Sequence, residues 1–239
     1  MRWRVALLLA ALAPLGACQS TQDKSAELEA KAKGLGKQEG LEIARVSKVV
    51  RPRRTAVLNT RNGTAVVIEL RNRSKRALAR VPVAITVRNG KGKTVFKNDD
   101  AGLEPSLVGV PVLLPHQRFL WVHDQVLATG RARKVKAKVG VARAKPPKQL
   151  PEIRITRPKL DVDPTSGVFA IGKLINRSAL LQRNIVVHAV ARRNGRIVAA
   201  GRSAIEKLRP RSSASYQVFF IGDPRGARIT LAAPPTTLR

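Results

Sequence analysis

One short pattern occurs twice in this chain, and it constrains the fold more than any other feature. Leu70-Arg71-Asn72-Arg73-Ser74 returns as Leu174-Ile175-Asn176-Arg177-Ser178. An apolar segment follows each copy, Val83 to Val87 and Val187 to Ala191. Next come a glycine turn and a short strand-like piece, Gly92-Lys93-Thr94-Val95 and Gly195-Arg196-Ile197-Val198. Leu113-Leu114-Pro115 then matches Leu208-Arg209-Pro210, and the aromatics Trp121 and Tyr216 sit at the same offset beyond each proline. A shared order of this length implies two copies of one all-β domain of about 85–90 residues. The first copy carries an insertion, roughly Asn98 to Val112.

Period-two patterning supports the same class. Strands are expected over residues 65–70, 81–87, 119–122 and 135–139, and again over 153–155, 168–171, 185–190, 196–198, 216–220 and 228–231. Asn89-Gly90-Lys91-Gly92 is a hairpin turn signal. Residues 144–152, with Pro146, Pro147 and Pro151, break the pattern and place a linker between domains spanning 54–143 and 153–239. Asn72 and Asn176 occupy equivalent places in Asn-x-Ser, where the side chain shapes a turn by bonding local backbone.

These residues resemble the immunoglobulin-like β-sandwich modules of bacterial envelope proteins, of the FxLYD type. Gly172-Lys173-Leu174-Ile175-Asn176-Arg177-Ser178 is similar to that family's Asn-x-Ser turn, and Leu208-Arg209-Pro210 to its Leu-x-Pro-Gly element, with Arg211 in place of glycine. Val190-Ala191-Arg192-Arg193-Asn194 stands where the family has Phe-x-Leu-Tyr-Asp. The resemblance implies two tandem sandwiches and a non-catalytic role.

The N-terminus carries an address. Arg2 and Arg4 precede an apolar run from Val5 to Ala13 and small residues beyond Pro14, the pattern of a secretory signal peptide over residues 1–17. The run is shorter than the roughly 20 residues a spanning helix needs. Leu15-Gly16-Ala17-Cys18 resembles the lipobox of bacterial lipoproteins, which implies lipidation of Cys18, the single cysteine. The expected location is the cell membrane, or the outer membrane where the host has one. Residues 18–53 read as a flexible tether, with a short helix expected over Lys24–Lys33.

Chemistry is sparse. One cysteine excludes a disulfide framework. His188 lies within an apolar strand, where it faces outward or is packed and satisfied. His123-Asp124 is the one adjacent His–acid pair, but neighbours on a strand point to opposite faces. Asp99, Asp100 and Glu104 lack calcium-loop spacing, and Asp161 and Asp163 flank a turn at Pro164. No catalytic residues, metal site or cofactor are implied.

Lys plus Arg number 46 against 15 Asp plus Glu, a formal net charge of +31. The excess is +12 over residues 55–143 and +9 over 161–239, so it is not a tail. Period two in Arg131-Ala132-Arg133-Lys134-Val135-Lys136-Ala137-Lys138 sets Lys134, Lys136 and Lys138 on one face. Such a ladder binds anions, or guards an edge strand against aggregation. Arg73, Lys75 and Arg76 form a second basic cluster in a turn. The expected function is therefore a non-catalytic, lipid-anchored, strongly basic envelope module that associates with anionic lipids, anionic wall polymers or a protein partner. Extracellular nucleic-acid binding is one alternative, disfavoured by 3% aromatics, since single-strand binders stack bases on aromatic rings. An enzyme with a loop-assembled site is the other.

Overall fold

The computed structural model describes residues 40–99 and 107–239, which fall in one compact unit, Glu39–Arg239. Among the described residues the chain is all-β, with no helix. The first half holds β1 (Val50–Thr60), β2 (Gly63–Asn72), β3 (Leu78–Asn89), β4 (Thr94–Lys97), β5 (Gly109–Leu113), β6 (Arg118–His123) and β7 (Ala132–Val139). The second holds β8 (Ile153–Ile155), β9 (Lys159–Asp163), β10 (Gly167–Asn176), β11 (Gln182–Arg193), β12 (Arg196–Leu208), β13 (Ser213–Phe219), β14 (Ile221–Gly222) and β15 (Arg228–Ala232). The lipobox with Cys18, the helix expected over Lys24–Lys33, and Asp100 and Glu104 lie outside the described residues.

Four antiparallel sheets result. In the first half β1-β2-β6 faces a sheet built on β3, with β4 and β5 on one edge and β7 on the other. Val66, Ile68, Leu70, Phe119 and Trp121 meet Val81, Val83, Ile85 and Val87 in the core between them. In the second half β13-β10-β8, with β9 also on β10, faces β14-β12-β11-β15. There Leu174, Tyr216 and Val218 meet Ile185, Val187, Ala189 and Leu208.

A third cluster joins the halves. Val67 of β2 and Val122 of β6 point away from the first core and meet Val190 of β11 and Ala200 of β12. Ala56, Leu58, Leu120 and Ile197 pack around them. Sheets β1-β2-β6 and β14-β12-β11-β15 are thus covered on both faces, which explains their unbroken apolar runs, Ala65–Ile68 and Ile185–Val187. Each fully buried valine contributes roughly 2 kcal/mol, so this seam holds the halves together as one body.

Polar bonds cross the same seam. The Asp124 carboxylate accepts from the Arg202 backbone N–H at 2.7 Å and from its Nε at 3.0 Å, while Arg202 Nη1 donates to the Leu107 carbonyl at 2.9 Å. His188 Nδ1 accepts the Val122 N–H at 3.1 Å, and Arg192 pairs with Glu69 at 3.6 Å.

The repeated turn is built twice with the same bonds. Asn72 Nδ2 donates to the carbonyls of Arg76, Leu113 and Leu114, and Asn176 Nδ2 to those of Leu180, Leu208 and Arg209. Ser74 and Ser178 each donate backbone N–H and hydroxyl to the Asn oxygen. Arg211 has φ 49°, its partner His116 φ 56°, a left-handed conformation that glycine meets without strain.

Two places differ from the sequence reading. β1 begins at Val50, inside the stretch read as tether. Val50 is buried, Ser47 Oγ accepts its N–H, and Pro52 is accommodated at a register shift on this edge strand. The insertion contributes structure of its own: the buried Asn98 amide accepts the Ile85 N–H at 2.7 Å and donates to the Val83 carbonyl at 2.9 Å, and β5, within it, pairs with β3. The proline-rich stretch 144–152 lies between β7 and β8, its first residue, Ala144, bridges Ala79 of the first half, and the halves also meet at the apolar seam.

Candidate functional site

β7 carries the sharpest of the expected sites. Lys134, Lys136 and Lys138 are exposed, while Val135, Ala137 and Val139 turn toward the first core. Pairing with β3 places Lys134 opposite Arg88, Lys136 opposite Thr86 and Lys138 opposite Ala84. β4 on the far side of β3 brings Lys97 opposite Thr86. Directly paired residues share a face, so Arg88 and Lys97 join the ladder. Both are exposed. Lys97 has an exposed carboxylate, Asp99, at 3.4 Å.

Arg133 sits where the β3–β7 register shifts. That extra residue puts Ala132 inward together with Val135 and leaves Arg133 and Lys134 both in solvent. Arg131, exposed, precedes the strand. The cations therefore continue from the ladder onto the β3–β4 hairpin side, where Gly90 lies beside Arg133. Because β7 is an edge strand of its sheet, the same lysines also guard that edge.

Arg73, Lys75 and Arg76 are exposed in the β2–β3 turn. They do not join the ladder: β3 runs from Leu78 beside this turn to Ala84 beside Lys138, roughly 20 Å at about 3.3 Å per residue. The structure thus gives separate cationic regions.

The first core and the seam hold the groups that reasoning along single strands missed. His123 is buried, edge-on to Phe96 at 5.3 Å and Trp121 at 5.8 Å, and His188 is buried edge-on to Phe119 at 5.2 Å. Burial first, and the Arg202 charge second, hold both imidazoles down to about 3. They are neutral at ordinary pH and sealed from any external substrate. Burial likewise lowers Arg202, against the opposing pull of Asp124. The signal for this cluster was the adjacent His123-Asp124: His123, at the end of β6, faces the first core, and Asp124, just past it, faces the seam.

Among the described residues no three His, Cys, Asp or Glu side chains gather to hold a metal ion. Asp163 is a turn residue, as expected. Its carboxylate accepts the Thr165 and Ser166 N–H groups, which lower its pKa. No protein-family model and no curated protein matches this chain.

Proposed function

We propose that the chain is a non-catalytic, strongly basic envelope module, anchored by lipid at Cys18 and held against an anionic surface by the outer face of the β7-β3-β4 sheet. Its halves are read as copies of one immunoglobulin-like sandwich. The observation that carries the reading is the coplanar set Lys134, Lys136, Lys138, Arg88 and Lys97, with Asp99 as the one carboxylate paired to it among the described residues. Each cation near an anionic lipid surface contributes about 1 kcal/mol. Export places the chain where anionic headgroups and wall polymers are its neighbours, and no aromatic side chain interrupts the ladder to stack a base.

The test is sedimentation with phosphatidylglycerol-containing vesicles, using Cys18→Ser protein so that the anchor does not contribute. Binding at low salt is expected to weaken about 100-fold in Lys134→Gln/Lys136→Gln/Lys138→Gln, from about 1 kcal/mol for each lost cation. Failure of the Cys18→Ser protein to bind such vesicles or wall material at low salt would sink the electrostatic reading. The anchor has its own test: the intact mass of the mature N-terminus should show acylated Cys18.

A further inference from the structure

A second cationic region lies at a cleft of about 490 Å³ lined by both halves. Its apolar lining comes from Leu41, Val108 and Pro111, with the buried Val81, Pro82 and Val110 behind them. Arg80 and Arg143 stand at it from the first half, Arg183 and Asn184 from the second. Among the described residues no carboxylate lines it. Arg143 gives one N–H to the Glu42 carbonyl at 3.2 Å; none of the three guanidiniums has an ion-pair partner among the described residues.

The cleft is built by specific bonds. Gln182 is fully buried. Its Oε1 accepts the N–H groups of Thr236 and Thr237 at 2.9 and 3.1 Å, and its Nε2 donates to the Thr237 carbonyl at 3.0 Å. The Thr236 hydroxyl donates to the Arg183 carbonyl. These bonds fix the C-terminal segment as one wall. Leu78 holds the equivalent place in the first half, so the amide serves this wall and not the repeat as such. Arg80 and Asn184 also occupy equivalent places, and both have left-handed backbone, φ 52° and 49°. This shared conformation belongs to the repeat, in both halves alike.

Other clefts are weaker candidates. The one at Asp124 and Arg202, about 280 Å³, already neutralises its own charge. The one beside Leu231 and Pro235, about 430 Å³, has no cation at it and includes Glu152.

We infer that the cleft of Arg80, Arg143 and Arg183 binds a single-chain amphipathic anion. The guanidiniums take its carboxylate or phosphate oxygens through paired N–H bonds. The apolar chain lies over Leu41, Val108 and Pro111, removed from water. This site is independent of the β7 ladder and uses none of its residues.

Trp121 reports on it, because its indole N–H donates to the Gly109 carbonyl at 3.2 Å, and Gly109 lines the cleft. The experiment titrates the full chain, in a Trp3→Phe background, with octanoate, octyl phosphate and octanol, following Trp121 emission and calorimetric heat. A saturable response to octanoate or octyl phosphate, and none to octanol at equal concentration, supports the site; the stronger of the two anions names the headgroup. Arg80→Gln, Arg143→Gln and Arg183→Gln, all at exposed side chains, should each weaken binding about tenfold while far-ultraviolet circular dichroism stays unchanged. The Lys134→Gln/Lys136→Gln/Lys138→Gln protein should bind like the parent, whatever the outcome on vesicles. The inference is overturned if octanol responds as strongly as the anions, if neither anion gives a saturable signal or heat, or if the lysine variant loses as much as the arginine variants.

Discussion

Acidification should destabilise the folded chain, and the amount follows from two buried imidazoles. His123 and His188 are held at about 3 in the folded chain, against an ordinary value of 6.5. On unfolding both regain water and leave the field of Arg202. Between pH 6.5 and about 3 the unfolded chain therefore binds more protons than the folded one. Stability must rise with pH across that window and fall as acid is added. Each fully differential proton contributes about 1.4 kcal/mol per pH unit. From pH 6 to 5, where unfolded histidine is largely protonated, the pair costs roughly 2–3 kcal/mol. That is a large share of the 5–15 kcal/mol typical of a folded domain.

The assay is urea unfolding followed by Trp121 emission at pH 7, 6 and 5. This window lies above the range where Asp163 and Asp223, both lowered by hydrogen bonds, would add their own acid loss. His123→Leu removes one titrating group and keeps an apolar side chain against Phe96 and Trp121. Its Nδ1 has no partner to lose. The variant should show about half the parent's slope between pH 6 and 5. A flat parent profile over that interval, or an unchanged slope in His123→Leu, would refute the account of neutral, desolvated histidines.

Other expectations are open to direct measurement. Asp124→Ala leaves Arg202 buried without its carboxylate and should cost about 3–5 kcal/mol by urea unfolding, whereas Asp124→Leu with Arg202→Met removes both charges and should cost less, about 1–3 kcal/mol, from the Arg202 backbone N–H and the Leu107 carbonyl left without partners. Asn72→Ala and Asn176→Ala each strip the same carbonyls and serine of their partner at a fully buried position. Both should cost at least about 3 kcal/mol, and a large difference between them would mean the turns are not equivalent.

Much of the fold was legible because its signals are local. The Asn-x-Ser and Leu-x-Pro elements meet across the chain, the Asn amide bonding the carbonyls beside the proline, so each half displays its own closure in sequence. β1 was missed because Arg51, Pro52, Arg53 and Arg54 interrupt any alternation; the strand exists through pairing with β2, a long-range cause invisible in its own residues. The join between halves was written in the sequence but read too narrowly. Ala65–Ile68 and Ile185–Val187 are continuous apolar runs, and a half-buried strand needs apolar residues on one face alone.

The basic site divides in the same way. Alternation within β7 placed Lys134, Lys136 and Lys138 correctly in solvent, since that property depends on one strand. Arg88 and Lys97 could be added after the β3 register was known, because a face is a property of paired strands. Arg73, Lys75 and Arg76 belong elsewhere for the same reason: closeness in sequence to β3 is not closeness to the part of β3 that β7 pairs. Distributed charge is therefore sorted by the sheets. The inner layers carry little of it, and what enters the seam is met by Asp124 and Glu69, which answer Arg202 and Arg192. Lys134, Lys136 and Lys138 remain on an outer layer without such partners among the described residues. Under the proposed function, an anionic partner approaches that outer face.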